Sequence, residues 1–217
     1  MNGKVLLSEM SWMDVKEYLK ERDIVIIPVG SIEQHGPHLP LGTDSMLAME
    51  GAIEIAKRTG TLVAPILWIG QSAHHMGFPG TITLRTETLA QVIFEACMSL
   101  SKHGFRKIIV LNAHGGNEVA TSLAAQMASH ELEAKVIVFG ADLIMRLFPP
   151  ELAVDKLDIH SGEIETSLVL RVRPELVSME RAKKPNITLP SHLQVIVPRL
   201  RREPELAKML FAQIPPT

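Results

Sequence analysis

Residues 24–44 read IVIIPVGSIEQHGPHLPLGTD. Ile24–Val29 is a continuous apolar run rich in β-branched side chains, the pattern of a parallel strand covered on both faces. The chain then breaks into glycines and prolines, and Glu33, His35, His38 and Asp44 fall within that irregular stretch. In an open α/β sheet, ligands sit in the crevice beyond the carboxyl ends of the strands. Two carboxylates and an imidazole in that place predict a metal site.

The same arrangement recurs downstream. Residues 107–111 (KIIVL) form a second apolar strand, ending in Asn112-Ala113-His114-Gly115-Gly116-Asn117. Around these two segments the periodicity predicts helices over 6–22, capped by Ser11, and over 45–58 and 87–103, with Gly104 as a left-handed C-cap. Two more are expected, one running from Asn117 as its cap to about 131 and one over 162–172; further strands are expected over 61–66 and 135–139. The alternation predicts a single α/β domain over residues 1–217, built around a largely parallel sheet. The pattern loosens after Pro149-Pro150. The basic run Arg199-Leu200-Arg201-Arg202 reads as a solvated or subunit-contacting face in preference to a phosphate site.

Composition narrows the function. With 217 residues, 46% hydrophobic and 21% charged, the chain can bury a sizeable core. A net charge of −2 gives no electrostatic reason to expect nucleic acid or an anionic membrane as partner. One cysteine, Cys97, excludes an intramolecular disulfide, fits a reducing compartment and reads as a core residue. Neither a signal peptide nor an apolar run of membrane-spanning length is evident, so a cytoplasmic location is expected.

If the two strands run parallel, Glu33, His35 and Asp44 come near His114. Carboxylate oxygens mixed with imidazoles suit Zn, Mn or Fe. Glu163 makes five candidates, and a carboxylate such as Asp44 can bridge, so two divalent ions become plausible. Two ions a few Å apart activate a shared water as hydroxide and polarise the carbonyl it attacks. An acid must then protonate the leaving nitrogen, and His160 and His75 are candidates. Plainer readings stand beside these: Asp44 as a helix N-cap, and Gly115-Gly116 as a left-handed turn into the helix, which is compatible with a close approach of backbone to ligand. Ser31, Ser72 and Ser161 lack the strand–elbow–helix context of a nucleophilic serine.

The run from Pro28 to Pro40 (PVGSIEQHGPHLP), followed by Thr43-Asp44, resembles the first signature of the creatininase family of metal-dependent amidohydrolases. Phe78-Pro79-Gly80-Thr81, Asn112–Asn117 and the run from His160 to Ser167 (HSGEIETS) continue the resemblance in the same order, over roughly residues 20 to 175. It implies a three-layer α/β fold, often a homo-oligomer, with a two-metal site at the strand ends. By position, Glu33, Asp44 and His114 would hold one ion, and His35, the shared Asp44 and a further glutamate the other. His160 would assist proton transfer beside the substrate. His75 matches a family histidine next to the Phe-Pro-Gly-Thr turn and would bind substrate with Gly115 and Gly116. His74 stands where relatives commonly carry an acidic residue and reads as incidental.

One departure bears on the reaction. Creatinine-hydrolysing members have a metal-ligating glutamate where this chain has Gly116, leaving Glu163 as the nearest substitute and Glu165 as the fallback. Gly115 replaces a bulkier aromatic, which points away from creatinine. It points toward a glycine-containing branch that includes formamide hydrolases and a peptidase of mycofactocin maturation. The expected function is a metal-dependent amidohydrolase using a metal-bound hydroxide on the non-peptide C–N bond of a small cyclic amide or formamide. A peptidase trimming a short modified peptide, or a metal-binding protein without turnover, is the alternative.

Overall fold

The apolar run at Ile24–Val29 becomes the centre of the sheet. In the computed structural model, which describes residues 4–141 and 160–183, β1 (Ile24–Val29) lies between β2 (Leu62–Val63) and β3 (Lys107–Asn112). β4 (Lys135–Phe139) pairs with the other side of β3, and every pairing is parallel. Residues 142–159, with Pro149-Pro150, and the run around Arg199 lie outside the described residues.

Side chains alternate across this sheet with the two-residue period of a strand. Val25, Ile27 and Val29 of β1 join Ile108 and Val110 of β3 in one core. Leu89, Ile93, Phe94 and Cys97 of α3 (Thr86–Lys102) and Ala120, Ala124 and Ala128 of α4 (Glu118–Glu131) complete it. Ile26 and Leu111 face the other way, against Ala52 and Ala56 of α2 (Thr43–Thr59). α5 (Glu163–Val172) packs on α2 outside that face. The result is a three-layer α/β/α fold, and Cys97 is a buried core residue as expected.

Local differences from the sequence reading have physical causes. The helix expected over 6–22 is a 3-10 turn at Leu7–Glu9 followed by α1 (Trp12–Tyr18). Ser11 and Asp14 form a reciprocal capping box that fixes where α1 starts. The strand expected over 61–66 shortens to Leu62–Val63 because Pro65 has no N–H for the ladder. Contact with β1 resumes at Leu67, whose N–H donates to the Pro28 carbonyl at 3.0 Å.

The connections place the crevice. The chain leaves β1 into α2 on one face and leaves β3 into α4 on the other, so adjacent strands diverge between β1 and β3. Gly30, at the end of β1, packs directly on the first turn of α2: a Cβ there would overlap the backbone of Ser45. Gly30→Ala is therefore expected to destabilise the protein by about 1–3 kcal/mol or more through overpacking. Chemical denaturation would measure it, and unchanged stability would show that β1 and α2 are free to separate.

Candidate metal centre

Asp44 lies in the first turn of α2 but does not cap it; Gly42 holds the N-cap position and makes no side-chain bond. The carboxylate instead points into the crevice, only 3% exposed. Its Oδ2 accepts from Ser31 Oγ at 2.7 Å and lies 3.0 Å from His114 Nδ1, while Oδ1 lies 3.0 Å from His35 Nε2. Burial opposes its charge, yet hydrogen bonds from His114 and His35 hold Asp44 well below the usual carboxylate range.

The two imidazoles are oriented alike. His114 Nε2 donates to the Gln71 carbonyl at 2.9 Å, and His35 Nδ1 lies 3.2 Å from the Glu33 carbonyl. Each ring commits one nitrogen to the backbone and turns the other toward Asp44, the outer arrangement that fixes the tautomer of ligating histidines. Burial opposes the charge on both rings. In His35 the hydrogen bond and charge of Asp44 outweigh it, giving a pKa of about 9, and His114 is raised for the same reason.

Glu33 closes one side. It is 1% exposed, and its Oε2 has no hydrogen-bond partner although it lies 3.3 Å from His114 Nε2. Burial pushes its pKa up to about 7, against the opposing charge of His114. A buried carboxylate oxygen without a hydrogen-bond partner, set among imidazoles, suits a cation as its partner. On the other side Glu165 Oε2 stands 3.9 Å from His35 Nε2 and accepts from the Ser161 N–H.

Among the described residues, four sets offer ligand atoms within 4.8 Å of one another: Glu33/His35/Asp44, His35/His160/Glu165, Glu33/His74/His114 and Glu33/His75/His160. Glu163, the expected fifth ligand, is in none of them, and Glu165, its alternative, is. Both belong to the first turn of α5, and residues two apart on a helix point roughly 200° apart, so only one can face His35. His38 also stays out of these sets. Its Nε2 lies 3.0 Å from Thr166 Oγ1 and its carbonyl accepts from the Ser178 N–H at 2.9 Å, which ties α5 to the β1 loop.

His160 and His75 flank the free edge of Glu33, each with a ring nitrogen 3.7 Å from its Oε1. Burial lowers the pKa of His75 to about 3 and that of His160 to about 4, with the neighbouring histidines adding to both. Gln34 joins them: its Nε2 is 3.1 Å from His75 Nδ1 and 3.0 Å from His160 Nε2. The Gln34 carbonyl is also 2.8 Å from His160 Nε2. That nitrogen can therefore donate to the carbonyl or, bare, accept from the amide, so both neutral tautomers of His160 have a partner. Gln34 lies between Glu33 and His35, and nothing in its side chain type distinguished it.

The two glycines divide in role. A Cβ on Gly116 would overlap the Gln71 carbonyl oxygen and His114 Nε2, so Gly116 keeps the bond between them possible. A Cβ on Gly115 would meet nothing within 4 Å, which leaves open space beside His114.

Asn117, expected as a helix cap, makes no cap bond. Its Nδ2 donates to the Gly30 carbonyl at 2.9 Å and to Asn112 Oδ1 at 3.1 Å, and its Oδ1 accepts from the Gln71 N–H at 2.8 Å. One buried amide thus joins the segments following β1, β2 and β3. Asn117→Ala leaves those groups unpaired, and a loss of about 1–3 kcal/mol in unfolding free energy is expected for each. Metal affinity should fall with it, as it should in Gly116→Ala, while Gly115→Ala keeps both. Denaturation and metal titration of the three variants check this; equal behaviour of the two glycine variants would contradict it.

Among the described residues, no helix is long and apolar enough to cross a membrane. A family model described as "Creatininase: Creatinine amidohydrolase" matches residues 8–207. A protein of Thermotoga maritima named 3-dehydro-scyllo-inosose hydrolase is 32% identical over 185 residues, 82% of this chain; the chain spans 59% of that relative's length. A mycofactocin precursor peptide peptidase of Mycolicibacterium smegmatis is 35% identical over 184 residues, covering 82% of this chain and 68% of the relative. A solved structure titled "Creatininase Mn" superposes with a TM-score of 0.71 at 28% identity, covering 87% of this chain and 80% of its own. A mutant creatininase of "Zn-Zn type" superposes with a TM-score of 0.73 at 27% identity and the same coverage. A family model spanning residues 8–207, with a relative 35% identical over 68% of its own length, shows that this chain belongs to the creatininase family.

Proposed function

We propose that the protein is a hydrolase acting on a C–N bond other than a peptide bond, in a small cyclic amide or formamide, at a centre for two divalent ions. One observation carries this reading: Asp44 presents one oxygen to His35 and the other to His114, with Glu165 and Glu33 on the respective flanks. Glu33, Asp44 and His114 would hold one ion, and His35, Asp44 and Glu165 the other. The mixed nitrogen and oxygen donors suit Zn, Mn or Fe. Such ions, when bound, lower the pKa of a coordinated water and polarise a carbonyl.

The remaining groups handle substrate and protons. His160 is neutral at pH 7, with a pKa of about 4, and its two tautomers are both supported by Gln34. It can take a proton at Nδ1, beside Glu33, and deliver it to the departing nitrogen. His75, neutral for the same reason, is positioned to hydrogen-bond the substrate. The space at Gly115 supports a substrate larger than one confined by an aromatic side chain there. Exposed Ile137 and Phe139 on the outer strand β4 support assembly as a homo-oligomer. Cleavage of a short peptide is the second reading, supported by the likeness to the mycobacterial peptidase.

Metal content and turnover of variants test the proposal together. Glu165→Gln is expected to lose one of two ions and most activity on a formamide or cyclic ureide panel, whereas Glu163→Gln keeps both. His160→Ala should retain its metal and lose about 10²–10⁴-fold in kcat. The reverse behaviour of the two glutamates would move the second ion elsewhere, and turnover confined to peptides would favour the second reading.

Proton release gives a separate check. A metal competes with protons for its ligands. With His35 at about 9 and Glu33 at about 7 before loading, ion binding at pH 7 must displace protons, and affinity must rise as pH increases toward about 9. Calorimetric titration in buffers of different ionisation enthalpy measures the release; buffer-independent heats would contradict the ligand assignment.

A further inference from the structure

His74 has no role in the function proposed above, yet it is held beside Glu33 and His114. It belongs to the 3-10 turn Ala73–His75, closed by the His75 N–H donating to the Ser72 carbonyl at 2.9 Å. The Ser72 N–H donates to Thr83 Oγ1 and the Gln71 N–H to Asn117 Oδ1, both at 2.8 Å. The residues leading into this turn are therefore fixed on the amide that also organises the His114 segment. His74's ring lies parallel to that of His114, 2° between planes and 5.9 Å between centroids. A ring nitrogen of His74, a ring nitrogen of His114 and a carboxylate oxygen of Glu33 all lie within 4.8 Å of one another. Glu33 Oε2, buried and without a hydrogen-bond partner, lies 3.3 Å from His114 Nε2.

We propose that His74 is an additional, solvent-facing ligand of the ion held by Glu33, Asp44 and His114, an inference that rests on the two-ion reading above. The other three side chains are buried, so His74 alone among them approaches that ion from the solvent side. With Glu33, Asp44 and His114 as donors, the His74 imidazole would supply a further one from the solvent side. This side chain raises the affinity of one ion and leaves the His35–Asp44–Glu165 ion unaffected. It is also displaceable, because its turn is exposed and short.

Chelator-competition titrations with Zn, on the full chain, test this with His74→Ala and His74→Glu. His74→Ala is expected to weaken one of the two ions about tenfold or more, with the other unchanged, and His74→Glu, which restores a donor, to recover most of the loss. In the Co(II)-loaded protein, proton NMR should show one hyperfine-shifted imidazole N–H fewer in His74→Ala than in the native protein. Native affinity for both ions and an unchanged set of shifted imidazole signals would overturn the role of His74. Absence of bound ions in the native protein itself would overturn the two-ion reading beneath it, so the two failures are distinguishable.

Discussion

A buried carboxylate governs this structure. Asp44 is 3% exposed, and taking such a group out of water costs several kcal/mol unless opposite charge and hydrogen bonds surround it. Two imidazoles and a serine hydroxyl do so here, from segments at the ends of different strands. The charge can be tolerated only while β1, β3 and the start of α2 stay in register. Gly30, which lets α2 approach β1, and Ser45, whose Oγ lies 3.0 Å from both the Ser31 and Trp68 carbonyls, hold that arrangement. The fold and the centre are thus one constraint seen from two sides.

Around Asp44 the backbone supplies what the side chains need. Carbonyls of Glu33 and Gln71 orient His35 and His114, and Asn117 fixes the segment that bears Gln71. Such outer contacts decide which nitrogen faces the ion, so they set ligand strength without touching it. The second half of the site, with His75, His160 and Gln34, is built on partly exposed residues whose rings are kept neutral. A neutral histidine held by Gln34 beside a charged centre can take up a proton and pass it on.

The sequence made the sheet and much of the centre legible because both are local. Strands β1 and β3 are continuous apolar runs, and Glu33, His35, Asp44 and His114 follow them directly. Glu163 and Glu165 were harder to separate, since the choice depends on the rotational phase of α5 against the β1 loop, a tertiary property. Asn117 carried the signature of a cap but spends its amide on three strand-end segments. Gln34 gave no signal because its amide acquires meaning only when His160, far along the chain, arrives beside it. The steric need for a glycine at 116 emerges only with the packed position of His114.

The most direct test of the central claim is anomalous diffraction from crystals soaked separately in Zn and Mn, recorded above each metal's absorption edge. The account predicts two peaks on either side of the Asp44 carboxylate, one bounded by Glu33 and His114 and the other by His35 and Glu165. A single peak, or a pair that does not share Asp44, would contradict it.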